Sequence, residues 1–410
     1  MLESKKASTG GDAAPIRVMI VDDSVVIRGL FSRWIGEEPE LSVVATFRNG
    51  QLAVDGLEQA APDVVVLDIE MPVMDGLTAL PLLLKKQPDL TVVMASTLTH
   101  RNAAVSLRAL SLGATDYVGK PETTAQTSTS LEFRRELIEK LKGLGRIKGR
   151  RAEKRRALQS SRRMRVETSA GQKTQQSTAA SPVRASRIDA RQALQMAKAR
   201  AEAEGPNFTT RPYGRTVPRI VAIGSSTGGP QALLKVLGDM KGAISRVPVV
   251  ITQHMPRTFT TILAEHLQKS VGVPAKEAEN DELLQNGVIY VAPGGIHLSV
   301  AQSAHGVVAR LSDSAPINFC RPSVEPLFQS VAEVYGSSSL ALMLTGMGAD
   351  GAEGVNHIAA QGGAIIAQDE YSSVVWGMPG AAARTGNCNE VLPLDQIGGR
   401  VSGILEGALR

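Results

Sequence analysis

Two sets of short, nearly unbroken apolar runs, each run followed by an amphipathic stretch, restrict this chain more than any other feature. The first set lies between Ile16 and about Pro121: IRVMIVDDS, LSVVATF, DVVVLDIE, TVVMAS and TDYVGKP. The second begins near Pro218: RIVAIGSS, VPVVITQH, GVIYVAP, HLSVA, GVVARLS, SLALMLTG and GAIIAQD. A strand with one wet face alternates apolar and polar residues. A continuous run of Val, Ile, Leu and Met instead predicts a parallel strand buried on both faces. The stretches between the runs, such as VIRGLFSRWIGEE and PQALLKVLGDM, predict the helices that cover such strands. Two doubly wound, mostly parallel α/β domains follow, with ligands expected outside the C-terminal ends of the strands.

The length of 410 residues suits two folded units plus connecting material. With only 3% aromatic residues, both cores must be built from aliphatic side chains. Between about Glu122 and Thr216 strand signals vanish, and RIKGRRAEKRR and SRRMR concentrate positive charge. This stretch alone carries more than the formal net charge of +5, so each flanking domain is mildly acidic. Its composition reads as a solvated tether rather than a nucleic-acid or acidic-lipid surface. Within it, LEFRRELIEKLKG predicts a helix leaving the first domain, and ARQALQMAKARAEAE an isolated one. Cys320 and Cys388 have neither disulfide-framework nor zinc-ligand spacing. No apolar run approaches the roughly 20 residues that span a bilayer, and the polar N-terminus lacks a signal-peptide core. A cytoplasmic protein without membrane insertion is expected.

The strand ends of the first domain carry a charge set. Asp22 and Asp23 follow the first strand, Asp68 ends the third, Ser96 the fourth and Lys120 the fifth. Three crowded carboxylates repel one another, so they imply a compensating cation, and oxygen ligands of this kind suit Mg²⁺. Asp68 would then be a nucleophile toward phosphorus, with Lys120 neutralising charge on the transferred group. A lone Asp would more simply cap the helix after its strand, but the ordered set, closed by Lys120-Pro121, argues for a site. VDDS, LDIEMPVMDG, MAS and DYVGKP resemble the receiver domain of two-component response regulators over about 105 residues. The resemblance implies a flavodoxin-like (βα)5 fold, Asp68 as phospho-acceptor, and Asp22 and Asp23 as metal-side acids. It also implies Ser96 and Tyr117 as switch positions and a histidine kinase as phosphate source.

In the second domain, Gly224-Ser225-Ser226-Thr227-Gly228 fits G-x-S-x-G between a strand and a helix, a turn that exposes its central serine. A phosphate-cradling loop fits the same segment, although the usual phosphate-loop Lys is missing. A nucleophilic Ser226 needs a base. His254 closes VVITQH at the same expected sheet edge, with His297 after APGGI as second choice; His266 and His357 lie in helical patterns. LMLTGMGADGAEG brings Asp350 to another strand end, where it could orient an imidazole or simply cap a helix. The backbone near Met347 is a possible oxyanion donor. The chain order Ser, His, Asp differs from that of α/β-hydrolases.

IGSSTGGP, ITQHMP, YVAPGG followed by Ile296 and HL, RPSVEPLF and LTGMGADG resemble the catalytic domain of the CheB family of chemotaxis protein-glutamate methylesterases, over about 190 residues. The resemblance implies Ser226 as nucleophile, His254 as general base then acid, Asp350 as its orienter, Thr227 and Met347 flanking the site, and Arg321 to Val324 close to it. Ile296 and Cys320 stand where the family pattern is more polar, and the basic stretch is longer than the pattern. The expected organisation is a receiver domain over 15–122, a basic, largely disordered linker over 123–216 and a methylesterase domain over 217–410. The expected activity is phosphorylation-controlled hydrolysis of glutamate methyl esters, and deamidation of glutamines, on methyl-accepting chemoreceptors, with no cofactor for the hydrolysis. A catalytically silent adaptor and a nucleic-acid-binding regulator are the rival readings.

Overall fold

The computed structural model describes residues 14–120 apart from 98, 131–145 apart from 132, and 208–407. In the N-terminal unit, strands β1 (Ile16–Val21), β2 (Leu41–Phe47), β3 (Val64–Asp68), β4 (Thr91–Thr97) and β5 (Asp116–Lys120) form a sheet in the order β2-β1-β3-β4-β5, with every pair parallel. The predicted five βα units and flavodoxin-like order are therefore present. Helices α1 (Val25–Gly36), α2 (Gly50–Ala60), α3 (Gly76–Lys86) and α4 (His100–Ser111) each start on a polar side chain that accepts a backbone N–H: Ser24, Asn49, Asp75 and Thr99. These caps satisfy donors that a helix start otherwise leaves unpaired.

The expected helix in LEFRRELIEKLKG forms as α5 (133–145). It lies past residue 122, inside the stretch read as linker, and it packs rather than trails. Phe133, Leu137, Ile138, Leu141 and Leu144 fall at helical spacing and join the core built by Phe31, Trp34 and the β-sheet. The charge-rich runs after it and the second expected helix lie outside the described residues.

The C-terminal unit has a seven-stranded sheet, all of whose pairs are parallel. Its strands are β6 (Ile220–Ser225), β7 (Val249–Gln253), β8 (Ala275–Glu277), β9 (Ile289–Val291), β12 (Ser339–Met343), β13 (Ala364–Gln368) and β14 (Glu390–Leu392), in the order β14-β13-β12-β6-β7-β9-β8. β10 (His297–Ser303) and β11 (Gly306–Ser312) form a separate antiparallel hairpin. Helices α6 (Gly229–Asp239), α7 (Lys241–Ile244), α8 (Arg257–Val271), α9 (Val324–Tyr335), α10 (Ala352–Ala360), α11 (Met378–Arg384) and α12 (Leu394–Leu405) complete it. Because β6 runs between β7 and β12, the chain leaves it toward opposite sides. That reversal opens a crevice at the C-terminal edge.

The two units touch. Tyr117 of β5 stacks on Phe259 of α8 with ring centroids 4.4 Å apart, and the Gln231 amide donates to Leu110 O and Ala114 O, both at 2.9 Å. Among the described residues, no helix is long and apolar enough to cross a membrane.

Candidate active site and its acidic counterpart

Register brings the three predicted side chains of the second unit to one edge. Ser225 pairs with Gln253 and Gly224 with Met343, so the residues just beyond β6, β7 and β12 meet above the reversal. Ser226 donates its N–H to Thr345 O at 3.0 Å, and His254 donates its own to Ser225 O at 3.1 Å. Gln253, buried at the end of β7, donates from Nε2 to Ser226 O at 2.9 Å and to His254 O at 3.2 Å. One amide thus ties the serine turn to the histidine turn. A Cβ on Gly346 would sit 2.9 Å from Ser226 Cβ, so only glycine lets the β12 turn come this close.

Asp350 is buried and saturated with donors. Its Oδ2 accepts from His254 Nε2 at 2.8 Å and from Val324 N at 2.7 Å; its Oδ1 accepts from Ser323 Oγ at 2.7 Å and Asn318 Nδ2 at 3.0 Å. Burial alone would raise its pKa, but the bonds from His254, Ser323 and Val324 outweigh burial and hold the carboxyl below the usual range. The reverse applies to His254. Burial disfavours its charged ring, yet hydrogen bonds to Asp350 and Cys320 push its pKa up. With Nε2 facing Asp350, the other ring nitrogen, Nδ1, faces Cys320 Sγ at 3.5 Å. The second-choice base, His297, is buried with both nitrogens occupied: Nδ1 accepts from Ser323 N–H at 3.1 Å, and Nε2 lies 3.1 Å from Ala315 O. His266 and His357 lie on α8 and α10, and His305 is exposed in the β10–β11 turn.

The sequence reading missed Gln253, Asn318 and Glu325 as members of the site. It met Ser323 only inside the RPSV motif, and Cys320 only as an unusual residue. Thr227 follows Ser226 in the chain, and Met347 follows Gly346, on which a Cβ would sit 2.9 Å from Ser226 Cβ. Thr227 is buried, and its Oγ1 makes no hydrogen bond. Met347 is half-buried and packs against the receiver's core cluster.

The acid set of the first unit also converges. Lys120 Nζ lies 2.6 Å from Asp68 Oδ1 and 3.1 Å from Asp22 Oδ2, and all three side chains are buried. Carboxylate oxygens of Asp22, Asp23 and Asp68 lie within 4.8 Å of one another. Burial and, less strongly, the charge of Asp22 raise the Asp68 pKa to about 6 against the opposing pull of Lys120. Three carboxylates share this pocket with one lysine, Lys120, and their all-oxygen donors fit a hard divalent cation. Ser96 is buried 2.8 Å from Ser106 Oγ, and Tyr117 is buried in the stack on Phe259.

Residues 221–401 match the family model of the CheB methylesterase, and residues 18–132 that of the response regulator receiver domain. A protein-glutamate methylesterase/protein-glutamine glutaminase of Rhodopseudomonas palustris (strain BisB5) is 48% identical over 99% of this chain and 98% of its own. The chain belongs to the CheB methylesterase family. A relative with the same activity name, from a group 2 operon of Bradyrhizobium diazoefficiens, is 49% identical over 98% of this chain and 97% of its own. Among solved structures, the catalytic domain of the Thermotoga maritima CheB methylesterase is 37% identical, with a TM-score of 0.44, covering 46% of this chain and 98% of that one. As a CheB-family member, this chain joins an N-terminal receiver domain to a C-terminal methylesterase domain.

Proposed function

We propose that this CheB-family chain hydrolyses glutamate γ-methyl esters, and deamidates glutamines, on methyl-accepting chemoreceptors, with Ser226 as nucleophile and phosphorylation of Asp68 as its control. The observation that carries the residue assignment is the part-buried Asp350–His254 bond placed one strand from Ser226. His254 takes the Ser226 hydroxyl proton as Oγ attacks the ester carbonyl, and the imidazolium so formed is stabilised by Asp350. The N–H groups of Ser226 and Gly346 are already given to Thr345 O and Val375 O. The N–H groups of Thr227 and Met347 therefore remain as donors for the oxyanion. His254 returns its proton to the departing methoxy oxygen, releasing methanol. Water deprotonated by His254 then cleaves the acyl-enzyme to free glutamate. With a glutamine substrate, ammonia leaves in place of methanol. Because Nε2 is held by Asp350, Nδ1, which faces Cys320 Sγ at 3.5 Å, is the nitrogen that exchanges protons.

Control rests on the contacts between the units. A Cβ on Gly143 of α5 would lie 3.1 Å from Met347 Sδ, and the Arg135 guanidinium lies 3.5 Å from the Phe319 ring centroid. Receiver-side helix α5 thus lies on two loops that supply the site, 317–320 and 345–350. In the receiver, Asp22, Asp23 and Asp68 would hold Mg²⁺, which when bound offsets the charge of an incoming phosphoryl group. The phosphate source is a histidine kinase and the product an aspartyl phosphate on Asp68.

The test is methanol release from methylated receptor fragments, with and without a small-molecule phosphodonor and Mg²⁺. Release that rises with the phosphodonor supports both hydrolysis and control. Equal release under both conditions overturns the control, and no release with Asp68 phosphorylated overturns the hydrolase reading.

A further inference from the structure

Two helices begin beside His254, and each begins by giving backbone N–H groups to an acidic side chain from the other's end. Asp350, just before α10, accepts the Val324 N–H that opens α9. Glu325, in the first turn of α9, returns the exchange. Its Oε1 accepts from Gly351 N at 2.7 Å and Glu353 N at 3.3 Å, and its Oε2 accepts from Gly354 N at 2.5 Å. Gly351 is the N-cap of α10 and has no side chain to cap it. The donors that a helix start leaves unpaired are therefore taken by a residue 26 positions earlier in the chain.

The consequence falls on Asp350. Its carboxylate is anchored to α9, and the backbone immediately after it, Gly351, is anchored to the same helix through Glu325. Gly351 has φ +89°, a conformation that favours glycine, and a Cβ there would lie 2.7 Å from Val324 Cγ1, so this turn sits directly on the start of α9. A Cβ on Gly354 would lie 2.6 Å from Phe328 Cβ, which shows how closely α9 and α10 are drawn together. Without the Glu325 carboxylate, the Asp350 carboxylate would still reach Val324. The backbone that follows it would lose its hydrogen bonds to α9.

We propose that Glu325 is a positioning residue for ester hydrolysis: it clamps the Asp350 turn so that the carboxylate faces His254 Nε2. The proposal rests on the reading of Asp350 as the partner of the catalytic base. Glu325 contacts none of the reacting atoms and acts through geometry alone.

The experiment compares Glu325→Ala and Glu325→Gln with the wild type, as full chains activated by phosphodonor and Mg²⁺, on methylated receptor fragments. Small displacements of a catalytic group cost up to roughly 100-fold. The Ala variant should therefore lose about 10- to 100-fold in kcat, with KM changed less than about two-fold. Gln should fall between, because its one carbonyl oxygen can still accept from Gly351 while its amide nitrogen cannot accept from Gly354. The downfield imidazole N–H resonance of His254 should shift in Ala more than in Gln. If Ala fails to fold, Gln carries the test by the same two readouts. Wild-type kcat and an unmoved resonance in the folded variants overturn the proposal. An Asp350→Asn control separates the two ideas: if it turns over normally, the triad reading falls and takes this proposal with it. If it is impaired while the Glu325 variants are not, the clamp alone falls.

Discussion

Asp68 and Asp350 are both buried carboxylates at the C-terminal edge of a parallel sheet, yet their hold on a proton moves in opposite directions. Burial acts first on both and raises both. At Asp68 it wins: the neighbouring Asp22 adds to it, and Lys120 compensates only in part, leaving the pKa near 6. At Asp350 it loses, because His254, Ser323, Val324 and Asn318 all aim donors at the carboxylate. The first pocket sets three carboxylates against one lysine, which suits the changing charge proposed for it. The second is completed by the protein itself, as the orienting role proposed for Asp350 requires. A buried acid with an incomplete shell can be switched; one with a full shell can only be broken.

Removing the serine is the harshest way to test this division. Ser226→Ala should lower kcat for methanol release by at least about 10³-fold, since loss of the nucleophile of a triad removes nearly all of its catalysis. Phosphorylation of Asp68, followed by radiolabelled phosphodonor, should be unchanged, because the two pockets share no ligand. Residual hydrolysis near wild type would move the nucleophile elsewhere.

Asp68→Asn addresses the incomplete shell. The amide cannot form the acyl phosphate, so the rise in methanol release on adding phosphodonor should disappear while unstimulated release persists. A retained rise would place control outside the receiver.

A smaller effect is expected where the two units meet. Cation–π contacts are worth about 0.5–2 kcal/mol. Arg135→Ala should therefore loosen α5 from Phe319 and raise release without phosphodonor by about two- to thirty-fold. The stimulated rate should stay where it is. An unchanged basal rate would mean that this contact does not restrain the site.

The smallest change concerns proton affinity within the completed shell. Asp350 and Cys320 raise the His254 pKa above 6.5, and His254 acts as base only when neutral. The acidic limb of kcat/KM against pH should therefore lie above 6.5. Cys320→Ala removes one of the raising partners, so the limb should move to lower pH. A limb that stays put, read from initial rates on a small ester, would show that the thiol does not share the ring.

Legibility followed the length of the chain segment that carries each signal. Strands β1, β3, β4 and β6 were plain because a parallel strand buried on both faces must be apolar throughout. β8 and β14 were missed because AKE and EVL are three-residue edge strands with no such run. α12 was missed as well; its Gly398-Gly399 pair breaks the helical signal in the sequence, and Gly398 is needed where the helix lies on Asp239 and the Val236 carbonyl. Ser226, His254 and Asp350 were legible because each follows a readable strand, and a doubly wound sheet sends all such residues to one edge.

What the sequence by itself determined, then, was the pair of parallel sheets, the charge set of the receiver and the three side chains, Ser226, His254 and Asp350, on which the proposed hydrolysis rests. These depend on burial periodicity and on residue type at strand ends, both local properties. Only the tertiary structure decided which groups complete the shells. Ser323 and Glu325 reach Asp350 and its turn across 26 to 27 residues, Cys320 reaches His254 across 66, and Arg135 of α5 covers Phe319. Such partners are ordinary polar residues in loops and helix starts. A hydrogen bond or ring contact needs distance and direction, which exist only once the sheets have brought distant segments to the same edge.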